Sequence, residues 1–525
     1  MWPPRARGTA KPEGKGAARD GSETLSDKAE KLRRLAGVAD VVATASLQPK
    51  VSHAVLLTGA QLSRGALRVL FVLAAARVLG PQHFGVYILL LAMVEMLAMA
   101  SGTGYSDYLT REAAKDERVG WGLGAQLIWV RLAYVLPFTG IGVGTLWLLG
   151  YSRLVLVATA CLSLTLVPRS VSEAAQGVLR GIGRCVEYFA VELVFGLTLA
   201  SGGALLLLRG GGLRLVITVE IAAAVAAAVA ALLLGVKYRT KQRIRLKASE
   251  LVKTSGIFNI YGFIGNLYDR VDILMISKLA GNYATGIYGV AYRPLGAIQL
   301  LPYGVLYSLL PTLARGQCSQ MGRERLEKAM GLLLCAAFFI VLATLVFADP
   351  AVNLLLGARY AESAIALKIL IWAVILRYTN YALNMRLLAS GHEKVFVMTS
   401  LTCLAVNLVG NLVFIPRFSW RAAAVITVIT ELALLGQNMY WLRRAIGTIP
   451  RPFGWTRTSV LFGVLVAAVI VGARIVSPLW IGIPCLLCFL AYLYRAGMAG
   501  EFASAWRAEQ QKKPQDDLVL LGTKA

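Results

Sequence analysis

Arg77-Val78-Leu79-Gly80-Pro81-Gln82-His83-Phe84-Gly85-Val86-Tyr87 lies between two apolar runs, each long enough to cross a bilayer. Much later the chain reads Lys278-Leu279-Ala280-Gly281-Asn282-Tyr283-Ala284-Thr285-Gly286-Ile287-Tyr288. Gly80, Gly85 and Tyr87 recur as Gly281, Gly286 and Tyr288 at one constant offset (281 − 80 = 201), and Arg77 recurs as Lys278. Two half-chains therefore each open with a hydrophobic span, a tight glycine turn and a second span. Internal repeats of whole membrane bundles are how many transporters are built.

Composition agrees with a chain solvated largely by lipid. Of 525 residues, 57% are hydrophobic and only 16% charged, with a mean hydropathy of +0.64; soluble proteins average about 25% charged. A net charge of +26 would suggest nucleic acid in a soluble protein. Here the basic residues sit mostly in short loops between apolar runs, where they set orientation, and no nucleic-acid-binding motif accompanies them. Cys485 and Cys488 form a CxxC inside a greasy segment, and the three histidines (His53, His83, His392) are scattered, so neither metal nor cofactor is expected.

Residues 1–50 read as a disordered cytoplasmic extension with one short helix around 29–36. Spans follow near 53–77, 84–106, 121–148, 154–177, 188–208 and 213–236, within a bundle at 51–236. A basic cytoplasmic linker occupies 237–252. The second bundle, 253–445, has spans near 253–279, 285–311, 329–348, 363–388, 395–415 and 422–442. An extra pair at 458–476 and 479–496 lies within 446–500, and 501–525 is a tail. The expected fold is thus an all-α polytopic membrane protein of about fourteen transmembrane helices. It comprises two six-helix bundles related by an internal repeat, plus two C-terminal helices. Lys237, Arg239, Lys241, Arg243, Arg245 and Lys247 head the basic loops on one side, so the positive-inside rule places both termini in the cytoplasm. No extramembrane segment beyond the N-terminal extension is long enough to fold as a domain, which argues against an enzyme.

Charges inside the spans carry the functional signal, because each costs roughly 2.5–3.5 kcal/mol to insert unless it meets a partner or a cavity. They include Arg64, Arg68, Glu95, Arg131, Glu192, Glu220, Asp269, Arg270, Asp272, Arg293, Arg377, Arg386, Glu431 and Arg474. Two arrangements satisfy the basic ones. In the first, Arg64, Arg68, Arg270 and Arg293 line a shared, water-filled cationic cavity, where planar guanidinium forks clamp phosphate oxygens. In the second, arginines and carboxylates neutralise each other or snorkel to headgroups. Arg64 and Arg68, at i and i+4, have no acid in their own span, which favours the cavity; Arg270, close to Asp269 and Asp272, fits either arrangement. Asp269 and Asp272 are also candidates for coupling to a proton or a sodium ion. Pro294 and Pro302 are candidate hinges.

These residues together resemble the polysaccharide transporters, or lipid-linked oligosaccharide flippases, of the multidrug/oligosaccharidyl-lipid/polysaccharide (MOP) exporter superfamily. The resemblance is carried by Ala76-Arg77-Val78-Leu79-Gly80-Pro81 with Phe84-Gly85-Val86-Tyr87, by Leu109-Thr110-Arg111-Glu112-Ala113-Ala114 and by Gln176-Gly177-Val178-Leu179-Arg180-Gly181. In the second half it rests on Asp269-Arg270 with Asp272, Ala291-Tyr292-Arg293, Leu388-Ala389-Ser390-Gly391-His392 and Thr430-Glu431. It covers about residues 50–445 and departs at Ser419-Trp420-Arg421, where the family usually has glycines. It implies a rocker-switch flippase in a bacterial cytoplasmic membrane, exchanging a polyprenyl-diphosphate-linked oligosaccharide between leaflets. The arginines would hold the diphosphate, and a polysaccharide polymerase and glycosyltransferases would be its partners. Two relatives in the superfamily offer alternatives, a peptidoglycan-precursor (lipid II) flippase and an ion-coupled drug exporter. A small cationic drug would call for an acidic cavity. A membrane glycan polymerase would need a long outward loop, which the chain lacks.

Overall fold

The structure, a computed structural model, describes residues 25–102, 105–236, 267–299, 301–302, 305–306, 320–475 and 477–495. The expected linker at 237–252 and tail at 501–525 lie outside them. The chain divides into Met1–Thr58, helical from Leu25, and Gly59–Ala525, which holds the bundles. Among the described residues all regular structure is helical. Apolar runs leave no other choice, because a helix satisfies its own backbone where no water is available.

Ten helices among the described residues are long and apolar enough to cross a membrane. The first, Gly59–Ala100, is 42 residues long and holds both opening spans, broken at Gly80 (φ 68°, ψ 168°), a conformation that only glycine adopts without strain. Glu117–Leu148, the pair Arg153–Ser163 and Leu166–Gly181, Cys185–Arg209 and Leu213–Val236 complete the first bundle. In the second, a helix over 267–279 and Gly281–Ile298 flank the turn at Gly281 (φ 84°). The expected spans 253–279 and 285–311 run in part outside the described residues. Gln320–Leu356, Glu393–Phe418 and Trp420–Ile446 follow as expected, but the span at 363–388 is split at Ile371 into Ala361–Leu370 and Trp372–Ala389. Arg377, Asn380 and Arg386 are buried there, so this segment faces protein rather than lipid. Outward faces stay apolar: Leu136, Trp147, Leu208, Leu233, Val409 and Trp480 are exposed.

The C-terminal pair, Trp455–Gly472 and Pro478–Arg495, packs on Gln320–Leu356 through Phe462 stacked on Phe338 at 4.3 Å and through Gly482 set against Val346. Ser419, between Glu393–Phe418 and Trp420–Ile446, is the single non-glycine with positive φ among the described residues (φ 54°, ψ −141°). This is the position where the sequence departs from the family's glycines, and such strain costs about 1–3 kcal/mol. Ser419→Gly is therefore expected to stabilise the protein by about 1 kcal/mol, read as a raised melting temperature in detergent. A lowered one would show that the serine side chain supports the turn.

The repeat also explains how the halves meet. A β-carbon on Gly85 would overlap the Asn282 carbonyl oxygen and come within 2.9 Å of the Gly286 nitrogen. One on Gly286 would overlap the Pro81 oxygen and lie 2.9 Å from its carbonyl carbon. Residues 81 and 282 share the same 201 offset as 85 and 286, so the contact is reciprocal, as a two-fold axis requires. On the same end Tyr360 Oη donates to the Ala76 carbonyl at 2.8 Å, and the Lys278 ammonium lies 5.5 Å from the centre of the Tyr151 ring. Two glycines make turns here, and two others allow backbone to lie on backbone. Together they seal one end of the interface between the halves.

Candidate functional site

Below that seal the intramembrane charges find their partners, almost all on other helices. Arg64 reaches Glu192 on Cys185–Arg209 at 2.9 Å, with Gln176 Nε2 also donating to that carboxylate at 3.2 Å and the Phe195 ring 4.6 Å from the guanidinium. Arg68 lies 3.5 Å from Glu220 on Leu213–Val236, and the buried Tyr87 hydroxyl donates to the same oxygen at 2.6 Å. Arg270 meets Glu95 at 2.9 Å across the two halves. Arg293 alone of the four expected arginines makes no ion pair with a described residue.

Three of the four come together. Arg68, Arg270 and Arg293 all lie within electrostatic reach of Glu95, as does Arg169, and Arg270 touches it. Arg64 lines a small recess of about 20 Å³ inside the first bundle with Arg169, Glu173, Gln176 and Glu192. There Glu173 holds the buried Arg131 at 2.8 Å and Arg169 at 3.4 Å. Buried pairs of this kind break roughly even against desolvation, yet removing one partner strands the other. They fix the arginines' positions more than they stabilise the fold.

The two candidate coupling acids are separated. Asp269, 42% exposed, pairs with Arg377 at 3.5 Å. Asp272, 3% exposed, instead accepts a close hydrogen bond from the Tyr288 hydroxyl and one at 2.8 Å from the Ile273 amide. Tyr288 is the repeat mate of Tyr87, and each buried hydroxyl holds a buried carboxylate. Arg377 also binds Glu431 at 2.7 Å, and Asn380, Asn438 and Tyr268 complete that network.

The sequence exposed the arginines but not their partners. Glu95, Glu192 and Glu220 stood out only as isolated charges in apolar runs, and nothing local linked Arg64 to Glu192, 128 residues away, or Arg68 to Glu220, 152 away. Their isolation was itself the available signal, since a lone buried acid calls for a basic partner.

Comparisons with known proteins agree with the fold. The family described as polysaccharide biosynthesis protein matches residues 51–317, just over half the chain. A probable low-salt glycan biosynthesis flippase from Haloferax volcanii, Agl15, is 23% identical over 435 residues, covering 79% of this chain and 89% of the relative. The solved structure of a lipid II flippase, MurJ, in an inward closed conformation superposes with a TM-score of 0.64 at 13% identity, over 84% of this chain and 99% of its own. An inward-facing multidrug transporter of the MATE family, from the MOP superfamily, gives 0.59 at 12% identity, over 73% and 94%.

Proposed function

The chain belongs to the polysaccharide biosynthesis protein family, is a multi-pass membrane protein and has the MOP-superfamily fold, and from that premise we propose that it flips a polyprenyl-diphosphate-linked oligosaccharide between leaflets by alternating access. It is read as a transporter rather than an enzyme. The observation that carries the proposal is the cluster of Arg68, Arg270 and Arg293 at bilayer depth, contributed by both halves under a seal at one end. With Glu95 and Glu220 the set sums to +1 (three arginines against two carboxylates). An anionic headgroup entering there meets Arg293, which makes no ion pair with a described residue, and two guanidiniums paired with carboxylates. Sugars and diphosphate are too polar for hydrocarbon, whereas the polyprenyl tail stays in the bilayer beside an opening.

The loops at the sealed end carry few basic residues, so that end faces outward by the positive-inside rule, both termini lie in the cytoplasm and the state described is closed to the outside. A bacterial cytoplasmic membrane, with the polymerase and glycosyltransferases of a surface-glycan pathway as partners, completes the proposal. In this reading Arg64, at the recess, serves the headgroup's far phosphate or first sugar once the cavity opens. An exporter of small cations is disfavoured, since the acids of the arginine cluster are neutralised by arginines. A lipid II flippase shares the diphosphate chemistry and differs in the glycan.

A charge-assisted bond to a phosphate is worth about 1.5–3 kcal/mol, roughly 10–150-fold per arginine. Arg68→Gln with Arg293→Gln is therefore expected to cut surface polysaccharide at least tenfold in cells where the protein level is unchanged. Normal polysaccharide in the double variant would remove the arginine clamp.

A further inference from the structure

The Glu95–Arg270 pair differs from the other arginine pairs of the site. Arg64–Glu192 and Arg68–Glu220 each join helices of the first half, whereas Glu95 and Arg270 lie on opposite halves and bridge the interface between them. Both partners are 23% exposed, so the pair sits where a ligand can reach it.

Its contact is also incomplete. Arg270 Nε lies 2.9 Å from Glu95 Oε2 but is misaligned as a donor, and that buried N–H has no hydrogen-bond partner. Charge attraction is present while donor capacity goes unused. Besides Glu95, the guanidinium has the Tyr292 ring near it, its carbon 6.0 Å from the ring centre. The same ring is 5.9 Å from Arg377, which is itself anchored by Glu431. Glu95 feels the positive charge of Arg270, Arg293 and Arg68, and of Arg169 as well. One carboxylate, with two oxygens, faces guanidiniums that can donate far more bonds than it can accept.

We propose that Glu95 is a built-in stand-in for the anionic headgroup, occupying the arginine cluster between the halves until a diphosphate displaces it. This rests on the flippase reading above. A diphosphate offers more oxygens and more charge than a carboxylate, so it outcompetes Glu95 for the unused Arg270 donor and for Arg293. The displaced carboxylate then stands next to the bound anion and repels it. Such a residue lowers affinity for the headgroup and promotes its release, so the site does not trap its cargo. In the empty state the carboxylate keeps the arginine cluster from being left without a counter-charge at bilayer depth.

The test measures binding of farnesyl diphosphate to the purified full-length protein in detergent. Glu95→Gln keeps the shape and removes the charge. Glu112→Gln, which removes an acid from the outlying helix Tyr105–Lys115, controls for net charge. Glu95→Gln is expected to bind about tenfold more tightly than the unaltered protein, with Glu112→Gln unchanged and Arg293→Gln at least tenfold weaker. In reconstituted vesicles Glu95→Gln should also transport more slowly despite its tighter binding. Damage to the fold would lower both affinity and rate, so the opposed signs identify the competitor. Equal or weaker binding by Glu95→Gln, with Arg293→Gln still impaired, would overturn the stand-in and leave the flippase reading intact. No binding by the unaltered protein, or full binding by Arg293→Gln, would overturn both.

Discussion

Gly286→Val stops transport by at least tenfold while the protein still inserts and accumulates, and Gly85→Val does the same. A side chain at either position runs into backbone of the other half, at Pro81 or at Asn282, rather than into a flexible side chain that could move aside. Overpacking of this kind costs about 1–3 kcal/mol, and under alternating access the cost falls on the sealed state, since the halves must part at this contact to open. A two-state protein then loses about 5–150-fold in the ratio of sealed to unsealed forms, and a cycle that needs both states stalls. The check is a cysteine at Ala284, which is 3% exposed, in a background lacking the seven native cysteines. A membrane-impermeant maleimide should label it slowly when both glycines are present and several-fold faster in either valine variant. Full protection in the valine variants would mean the halves do not separate at this contact.

Glu431→Ala is expected to destabilise the second bundle by about 3–5 kcal/mol, the usual cost of removing one partner from a buried ion pair. Arg377 and Glu431 have side chains only 5% and 4% exposed and lie 2.7 Å apart. Without Glu431, the guanidinium keeps, among the described residues, the partly exposed Asp269 at 3.5 Å and the Tyr292 hydroxyl at 3.3 Å. Asn380 and Tyr268 lose an acceptor in the same step. The double variant Arg377→Leu/Glu431→Leu removes both charges and should recover most of the loss, since apolar replacement of a whole buried pair is often neutral or better. Thermal unfolding in detergent compares the three proteins. A double variant no more stable than Glu431→Ala would assign the residues a role in packing rather than in pairing.

Much of the architecture was readable because it is periodic. The 201-residue offset from Gly80 to Gly281 predicted two halves, and apolar run length predicted where helices lie. The same motif did not separate its glycines by role. Gly80 and Gly281 have positive φ and make the turns, whereas Gly85 and Gly286 have ordinary helical backbones and are glycine because another chain segment lies against them. That second reason is tertiary and leaves no local trace. The arginines followed from the cost of burying charge, but Glu192 and Glu220 reach Arg64 and Arg68 only once helices far apart in the chain have packed. The split at Ile371 went unseen because hydropathy remains high through 363–376, and only the buried polar positions after it distinguish a segment facing protein from one facing lipid.

The most direct test of the central claim is flipping in vesicles containing the purified protein and a fluorescent polyprenyl-diphosphate-linked oligosaccharide, scored by a membrane-impermeant quencher. The unaltered protein should equilibrate the label between leaflets, Arg68→Gln/Arg293→Gln should remain at the protein-free rate, and a neutral lipid-linked sugar should not be moved. Equal rates for the double variant and the unaltered protein, or transport of the neutral lipid as fast as the diphosphate, would contradict an arginine site that selects its cargo by charge.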